Sequence, residues 1–297
     1  MSYRIGIDLG GTKTEILVLG PGGNEILRRR TATPAGYAQA LDTIASLVHQ
    51  AEAEIGAAAS VGIGIPGSIS PATGLVKNAN SNALNGHKFD RDLGALLHRE
   101  IRVANDANCF ALSEATDGAG AGAKIVFGVI LGTGCGGGIV VNGQILEGRH
   151  RLAGEWGHIP LPWPRMDEMP LRPCWCGLSG CLETYLAGPA LAFECDGPGA
   201  SDASAIPARA ANGEAKAIAA LAIHANRLAR ALAVITNVLD PDTIVLGGGL
   251  SNLPNLATTL PSLMQPYIFS DTCTPNIRRN LHGDSSGVRG AAWLWPR

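Results

Sequence analysis

The apolar positions along the chain fall into short strand-like runs and longer helical stripes that take turns. Residues 3–9 and 14–20 read as two strands joined by a Gly-Gly turn, and residues 25–32 follow as a third. Residues 37–56 are Ala-rich, with Leu41, Ile44, Leu47 and Val48 at helical spacing. Residues 60–66 predict a buried strand ended by Pro66-Gly67, residues 101–104 a short strand and residues 107–117 a helix. Residues 125–131 and 138–142 are again strand-like, and residues 214–239 form a long Ala/Leu/Ile helix that stops before Pro241. Residues 243–246 (TIVL) are a further buried strand running into Gly247-Gly248-Gly249, and residues 288–295 predict a final helix. Strands, hairpins and helices alternate throughout, so the fold class is α/β.

A weak duplication overlies this pattern. A strand, a Gly-rich turn and a second strand open the chain at 3–20, and the same unit returns at 125–146 around Gly132-Thr133-Gly134-Cys135-Gly136-Gly137-Gly138. Two such units predict two similar lobes with a cleft between them. The boundary is placed near residue 118: residues 1–118 form a small α/β lobe, with the C-terminal helix 286–297 packed on it, and residues 119–285 a larger one. The Ala/Gly/Ser/Pro-rich stretch 194–213 reads as a surface loop without chemistry.

Composition narrows the class. Of 297 residues 39 are glycine, about twice the usual share. Charged residues make up 16% and hydrophobic residues 46%, which excludes a disordered chain, and the glycines lack the period of collagen. A net charge of −2 gives no basic footprint for nucleic acid. No charged segment followed by an apolar stretch opens the chain, and Gly, Pro or charge interrupts each candidate membrane run, so a cytoplasmic protein is expected. Seven cysteines, an odd number in such a chain, argue against a disulfide framework.

The glycines also locate candidate chemistry. In Asp8-Leu9-Gly10-Gly11-Thr12-Lys13 the glycines let backbone N–H groups approach an anion, Thr12 and Lys13 add donors to phosphate, and Asp8 is placed to hold Mg²⁺ directly or through water. An ordinary hairpin turn also favours Gly-Gly. The run at 132–138 contains G-x-G-x-G-G, but a strand follows it where a dinucleotide fingerprint needs a helix, and no Walker A pattern is present. A phosphate cradle built from two hairpins fits better, with Gly248 and Gly249 as a third glycine surface for a nucleotide.

Asp106, in Val103-Ala104-Asn105-Asp106-Ala107-Asn108, lies at a strand-to-helix junction and suits either a helix N-cap or a general base that takes the proton of a sugar hydroxyl. Asn105 beside it offers both donor and acceptor. Cys174-Trp175-Cys176-Gly177-Leu178-Ser179-Gly180-Cys181 brings three thiolates within reach of one ion, and His158 is the natural fourth ligand of a closed, structural Zn²⁺ site. Such a site would pin Glu155-Trp156-Gly157-His158, so that Glu155 and Glu183 could face a substrate. The spacer between His158 and Cys174 (PLPWPRMDEMPLRP) is long and Pro-rich, which leaves its path open.

Together these motifs resemble the ROK family (repressors, open reading frames, kinases) of bacterial sugar kinases, and the similarity covers essentially the whole chain. Gly64–Ser70, Val76–Ser81 and the tail from His282 are most similar to the fructokinase branch, with the N-acetylglucosamine kinase branch next. The resemblance implies a two-lobed actin-like, RNase H-like hexokinase fold, with ATP and Mg²⁺ in the cleft and phosphoryl transfer to a hexose 6-hydroxyl, most simply that of fructose. It assigns Asp106 as base and His158, Cys174, Cys176 and Cys181 as zinc ligands. Sugar contacts are implied at Asn105, Glu155, His158 and Glu183, with Gly67 and Asn80 beside them, and a homodimer is expected. A sugar-responsive repressor of the same family is expected to carry a helix-turn-helix domain before the first loop, which here starts at residue 8. The zinc signature and Glu155-x-Gly157-His158 argue against a chaperone- or actin-like ATPase.

Overall fold

The computed structural model describes residues 2–79 and 83–295. The first half of the chain builds β1 (Tyr3–Leu9), β2 (Lys13–Leu19), β3 (Glu25–Ala32), α1 (Tyr37–Ile55), β4 (Ala59–Ile65), the two-residue strands β5 (Ser68–Ile69) and β6 (Val76–Lys77), α2 (Phe89–Leu97), β7 (Ile101–Asn105) and α3 (Asp106–Asp117). The second half builds β8 (Ile125–Leu131), β9 (Cys135–Val141), β10 (Gln144–Ile145), α4 (Glu183–Leu186), α5 (Gly188–Asp196), α6 (Ile206–Ala211), α7 (Ala215–Leu239), β11 (Thr243–Gly247), α8 (Leu256–Met264), β12 (Ile277–Arg279) and α9 (Ser286–Ala292).

The duplication is realised as two five-stranded sheets of one topology. Their strand orders are β3-β2-β1-β4-β7 and β10-β9-β8-β11-β12. In each, two antiparallel hairpins lead into parallel pairings, β1 with β4 with β7 and β8 with β11 with β12. The carboxyl ends of parallel strands are where ligands meet an open α/β sheet. Here those ends carry Asp8 and the first glycine loop, Gly67, the Asn105–Asp106 junction, the second glycine loop and Gly247–Gly249.

One helix seats on each sheet, and the chain exchanges them. α9, from the C-terminus, packs on β1 and β4, while α3 packs on β8 and β9 and crosses α9. Both seats are made of glycine pairs opposite one another in register: Gly6 with Gly62, and Gly128 with Gly138. A Cβ on Gly6 would lie 2.0 Å from the Val288 carbonyl oxygen and one on Gly62 1.9 Å from that of Ala291. A Cβ on Gly138 would lie 2.6 Å from the Ala107 oxygen. At the crossing, a Cβ on Gly290 would meet the Cys109 oxygen at 1.7 Å. Much of the glycine content is therefore helix-to-sheet contact.

Carboxylates of α3 hold the segment that leads into α9. Glu114 is fully buried, and its oxygens accept from the backbone N–H groups of Ala119, Leu281 and His282 and from Ser286 Oγ. Asp117 accepts from His282 Nε2 and from the guanidinium of Arg289. Burial alone would raise the Asp117 carboxyl, but His282 and Arg289 hold it down at about 2.

Several elements depart from the sequence expectation. β9 begins at Cys135, three residues early, because glycine hides its strand character. The stretch 194–213 contains the end of α5 and all of α6, so it is not simply a loop. The N-cap of α3 is Asn105, whose Oδ1 accepts from the N–H groups of Ala107 and Asn108 at 2.9 and 3.4 Å. Asp106 is the first helical residue and is not the cap. α7 is long and apolar enough to cross a bilayer by composition, contrary to the expectation of no such run. Half of its apolar stretch is buried in the second core, and Arg227 and Arg230 reach from it to the buried Glu168. That contact pins the Pro-rich spacer, which also returns to the cysteine loop 174–181 through short bridges at Pro160–Cys181 and Pro173–Ser179.

Gly290→Ala should lower thermal stability by the equivalent of about 1–3 kcal/mol or more, because the added methyl meets backbone. Gly22→Ala, whose Cβ would meet nothing closer than 3.5 Å, is the control; equal melting temperatures for the two would contradict the packing argument. Asp117 adds a pH signature. Its folded value lies below the ordinary 3.8, so its contribution is complete above that value and is lost as pH falls through about 2. Asp117→Asn should be less stable than the parent at neutral pH, with the gap closing on acidification toward pH 2; denaturant titrations at both extremes measure it, and a gap that does not depend on pH would refute it.

Candidate active site

The first glycine loop is a braced turn. Gly10 N–H donates to the Lys13 carbonyl at 3.0 Å, and Thr33 Oγ1 donates to the Gly10 carbonyl at 2.8 Å. Gly11, Thr12 and Lys13 are exposed at its tip. Asp8 ends β1, in register with Gly64 of β4 and opposite Glu15 of β2. Burial, followed by the charges of Asp106 and Glu15, pushes its carboxyl up to about 7, with Arg30 pulling the other way. A carboxylate so placed gains from a cation.

Asp106, the first residue of α3, is exposed, yet many protein atoms lie close around its carboxylate. The resulting desolvation raises its carboxyl, helped by the charge of Glu155 and opposed by hydrogen bonds from Ala107 and Asn105. The exposure of Asp106 moderates this push. Asn105 is less free than its side chain promised: Oδ1 is used in capping, and Nδ2 donates to the Gly67 carbonyl at 3.1 Å and toward the Asp106 carboxylate.

A cleft of about 370 Å³ gathers Gly67, Asn78, Asn105, Glu155, His158, Trp175 and Cys176. The β5–β6 hairpin supplies its first wall: Gly67 has φ +74°, and a Cβ there would sit 2.3 Å from the Lys77 oxygen. Glu155-Trp156-Gly157-His158 docks on β9. Trp156 Nε1–H donates to the Gly136 carbonyl at 2.8 Å, and a Cβ on Gly157 would meet the Cys135 oxygen at 2.0 Å. Of the glycine run 132–138, therefore, Gly136 to Gly138 serve packing inside β9, and only Gly132-Thr133-Gly134 form the turn. Asn80 lies outside the described residues.

Ligand atoms of His158, Cys174, Cys176 and Cys181 all lie within 4.8 Å of one another. His158 Nδ1 is 3.7 Å from Cys174 Sγ, and the sulfurs of Cys176 and Cys181 are 3.6 Å apart. An ion with tetrahedral metal–sulfur bonds of about 2.3 Å separates its sulfurs by about 3.8 Å, so the group could hold one metal ion. With Nδ1 facing the cluster, His158 keeps Nε2 for the cleft. Glu183 does not line that cleft. Its Oε2 accepts from the Cys135 N–H at 3.0 Å and its Oε1 from Trp175 Nε1–H at 2.7 Å, so it ties the second glycine loop to the cysteine loop.

A second cavity, of about 640 Å³, is lined by Gly132, Thr133, Gly249 and Leu250, and also by Gly188 and residues 201–204. The latter were invisible as site residues in the sequence; an Asp-x-Ser turn, with Asp202 accepting from Ser204 N–H and Oγ, is the one local signal they carry. Gly248, at φ +76°, closes β11 on β8: a Cβ there would lie 2.4 Å from the Leu131 oxygen. Asn78 and Trp175 were likewise missed as cleft residues.

The ROK family model matches residues 4–297. The N-acetyl-D-glucosamine kinase of Yersinia pseudotuberculosis serotype O:3 (strain YPIII) is 40% identical over 296 residues, covering 97% of each chain. The ROK hexokinase from Thermus thermophilus superposes with a TM-score of 0.86 at 30% identity, over 98% of this chain and 96% of that one. A ROK family glucokinase from Streptomyces griseus, solved with glucose and AMPPNP, gives a TM-score of 0.78 at 26% identity over 98% of each chain. The chain belongs to the ROK family.

Proposed function

We propose that this protein is an N-acetyl-D-glucosamine kinase that transfers the γ-phosphate of ATP to the 6-hydroxyl of the sugar. It is an ATP-dependent sugar kinase, a transferase acting on a sugar hydroxyl. The choice of sugar rests on one observation, the 40% identity over the whole chain to a relative of that name. The fructose expected from the fructokinase-like motifs finds no matching support.

The sugar occupies the 370 Å³ cleft. Asp106 orients the 6-hydroxyl and accepts its proton as the oxygen attacks the γ-phosphorus, and its raised carboxyl makes it a stronger base than a surface carboxylate. The Glu155 carboxylate and His158 Nε2 hold the ring hydroxyls, with the Asn105 amide beside them. The triphosphate runs across Gly10–Lys13 and Gly132–Gly134, where the exposed tip Gly11–Lys13 offers backbone N–H groups and the Lys13 ammonium. The nucleoside lies in the 640 Å³ cavity against Gly249 and residues 201–204. Asp8 would hold Mg²⁺, which when bound neutralises charge on the β- and γ-phosphates. The four-residue cluster would hold structural Zn²⁺, with no open coordination position for chemistry. The cleft between the two sheets supports a division into two lobes, 1–118 with the C-terminal helix and 119–285.

In a coupled assay across N-acetylglucosamine, glucose, mannose and fructose, N-acetylglucosamine should give the highest kcat/KM; fructose in first place would overturn the reading. Asp106→Asn should fold and bind sugar but turn over roughly 10²-fold or more slowly. Wild-type turnover in that variant would remove Asp106 as the base. Elemental analysis should find one zinc per chain, and Cys176→Ser should lose metal, melting temperature and sugar affinity together. Full activity in protein shown to be free of zinc would sink this assignment.

A further inference from the structure

Trp175 stands between two of the clustered cysteines and is 75% exposed, an unusual position for the largest apolar side chain. It is nevertheless held in place. Its Nε1–H donates to Glu183 Oε1 at 2.7 Å, and its ring meets that of His158 edge-on, with centroids 5.0 Å apart at 85°. Glu183 is itself held by the Cys135 N–H. The ring lines the sugar cleft together with Asn105, Glu155 and His158. A fixed indole with its surface open to a substrate cleft is a ready contact for an apolar group on that substrate.

The sugar's own geometry says which group that is. In a hexopyranose, C2 lies across the ring from C5, the carbon that bears C6. A sugar whose 6-hydroxyl is directed at Asp106 therefore presents its C2 substituent to the far side of the cleft. Asn105 and Asp106 come from the β7–α3 junction, whereas His158, Trp175 and Cys176 come from the metal loop and the segment it pins.

We propose that Trp175 is a specificity-determining residue that packs its indole face on the acetamido group at C2, and that Glu183 fixes the ring for this contact. The inference rests on the N-acetylglucosamine reading above. Glucose, with a hydroxyl at C2, leaves the indole without a partner, so the contact favours the acetamido sugar over glucose. Since Glu183 also accepts from Cys135 N–H, the same carboxylate links the Trp175 ring to the end of the second glycine loop.

Trp175→Ala should raise KM for N-acetylglucosamine about tenfold and leave KM for glucose nearly unchanged, with kcat moving much less than KM. Trp175→Phe, which keeps a flat ring, should recover most of the preference. Binding is read independently by intrinsic fluorescence without ATP. Addition of N-acetylglucosamine should shift the emission of the parent protein, and the shift should be absent in Trp175→Phe. Zinc content and melting temperature of each variant confirm that the loop is intact. Equal loss for both sugars in Trp175→Ala, or an N-acetylglucosamine preference that survives it, overturns the role of Trp175 while leaving the kinase reading in place. A parent enzyme with no preference for N-acetylglucosamine over glucose overturns both.

Discussion

Two glycine pairs set the geometry of this molecule. Gly6 with Gly62, and Gly128 with Gly138, leave each sheet a patch free of side chains, and a helix backbone descends onto each patch. The two helices then touch where Gly290 meets the Cys109 carbonyl. α3 begins with Asp106, and α9 brings Gly287 against Asp8, where a Cβ would sit 3.1 Å from the carboxylate oxygen. The distance between the two acids that matter most is thus fixed by how closely helix and sheet approach. The same closeness charges the site: part of what lifts Asp8 toward 7 is the neighbouring Asp106.

Electrostatics is divided cleanly between structure and site. Carboxylates that hold the architecture are paired, Asp117 with Arg289 and His282, and Glu168 with Arg227 and Arg230; partners hold both at about 2. The acids at the ends of the parallel strands are raised instead, because burial and like charge outweigh any cation nearby. Such a site is incomplete without a cation and polar substrates, which suits phosphoryl transfer, where positioning and charge stabilisation supply most of the rate.

What was readable in the sequence follows from range. The cysteine cluster, the Asn105–Asp106 junction and the hairpin loops are local, so spacing alone located them along the chain, and the fold brings the four candidate metal ligands together. The glycine pairs become meaningful only once strand register is known, which sequence spacing cannot supply. Asn105 as the cap of α3, with Asp106 left exposed as its first residue, depended on where the helix starts to within one residue. The anchoring of the Pro-rich spacer at Glu168 joins residues about sixty positions apart, and no local pattern announces it. Between its two cysteines Trp175 carries no local signal of a place in the cleft, which comes from a turn that brings its ring to His158. The second cavity is built in part from Ser201–Ser204 and Pro207, in a stretch whose composition reads as plain loop.

The most direct test is a crystal structure of the protein with N-acetylglucosamine and a non-hydrolysable ATP analogue. The account predicts the sugar in the cleft of Asn105, Glu155, His158 and Trp175, its 6-hydroxyl within hydrogen-bond reach of Asp106 (about 2.6–3.2 Å) and aligned with the γ-phosphate. A sugar bound elsewhere, or one whose 6-hydroxyl points away from Asp106, would contradict it.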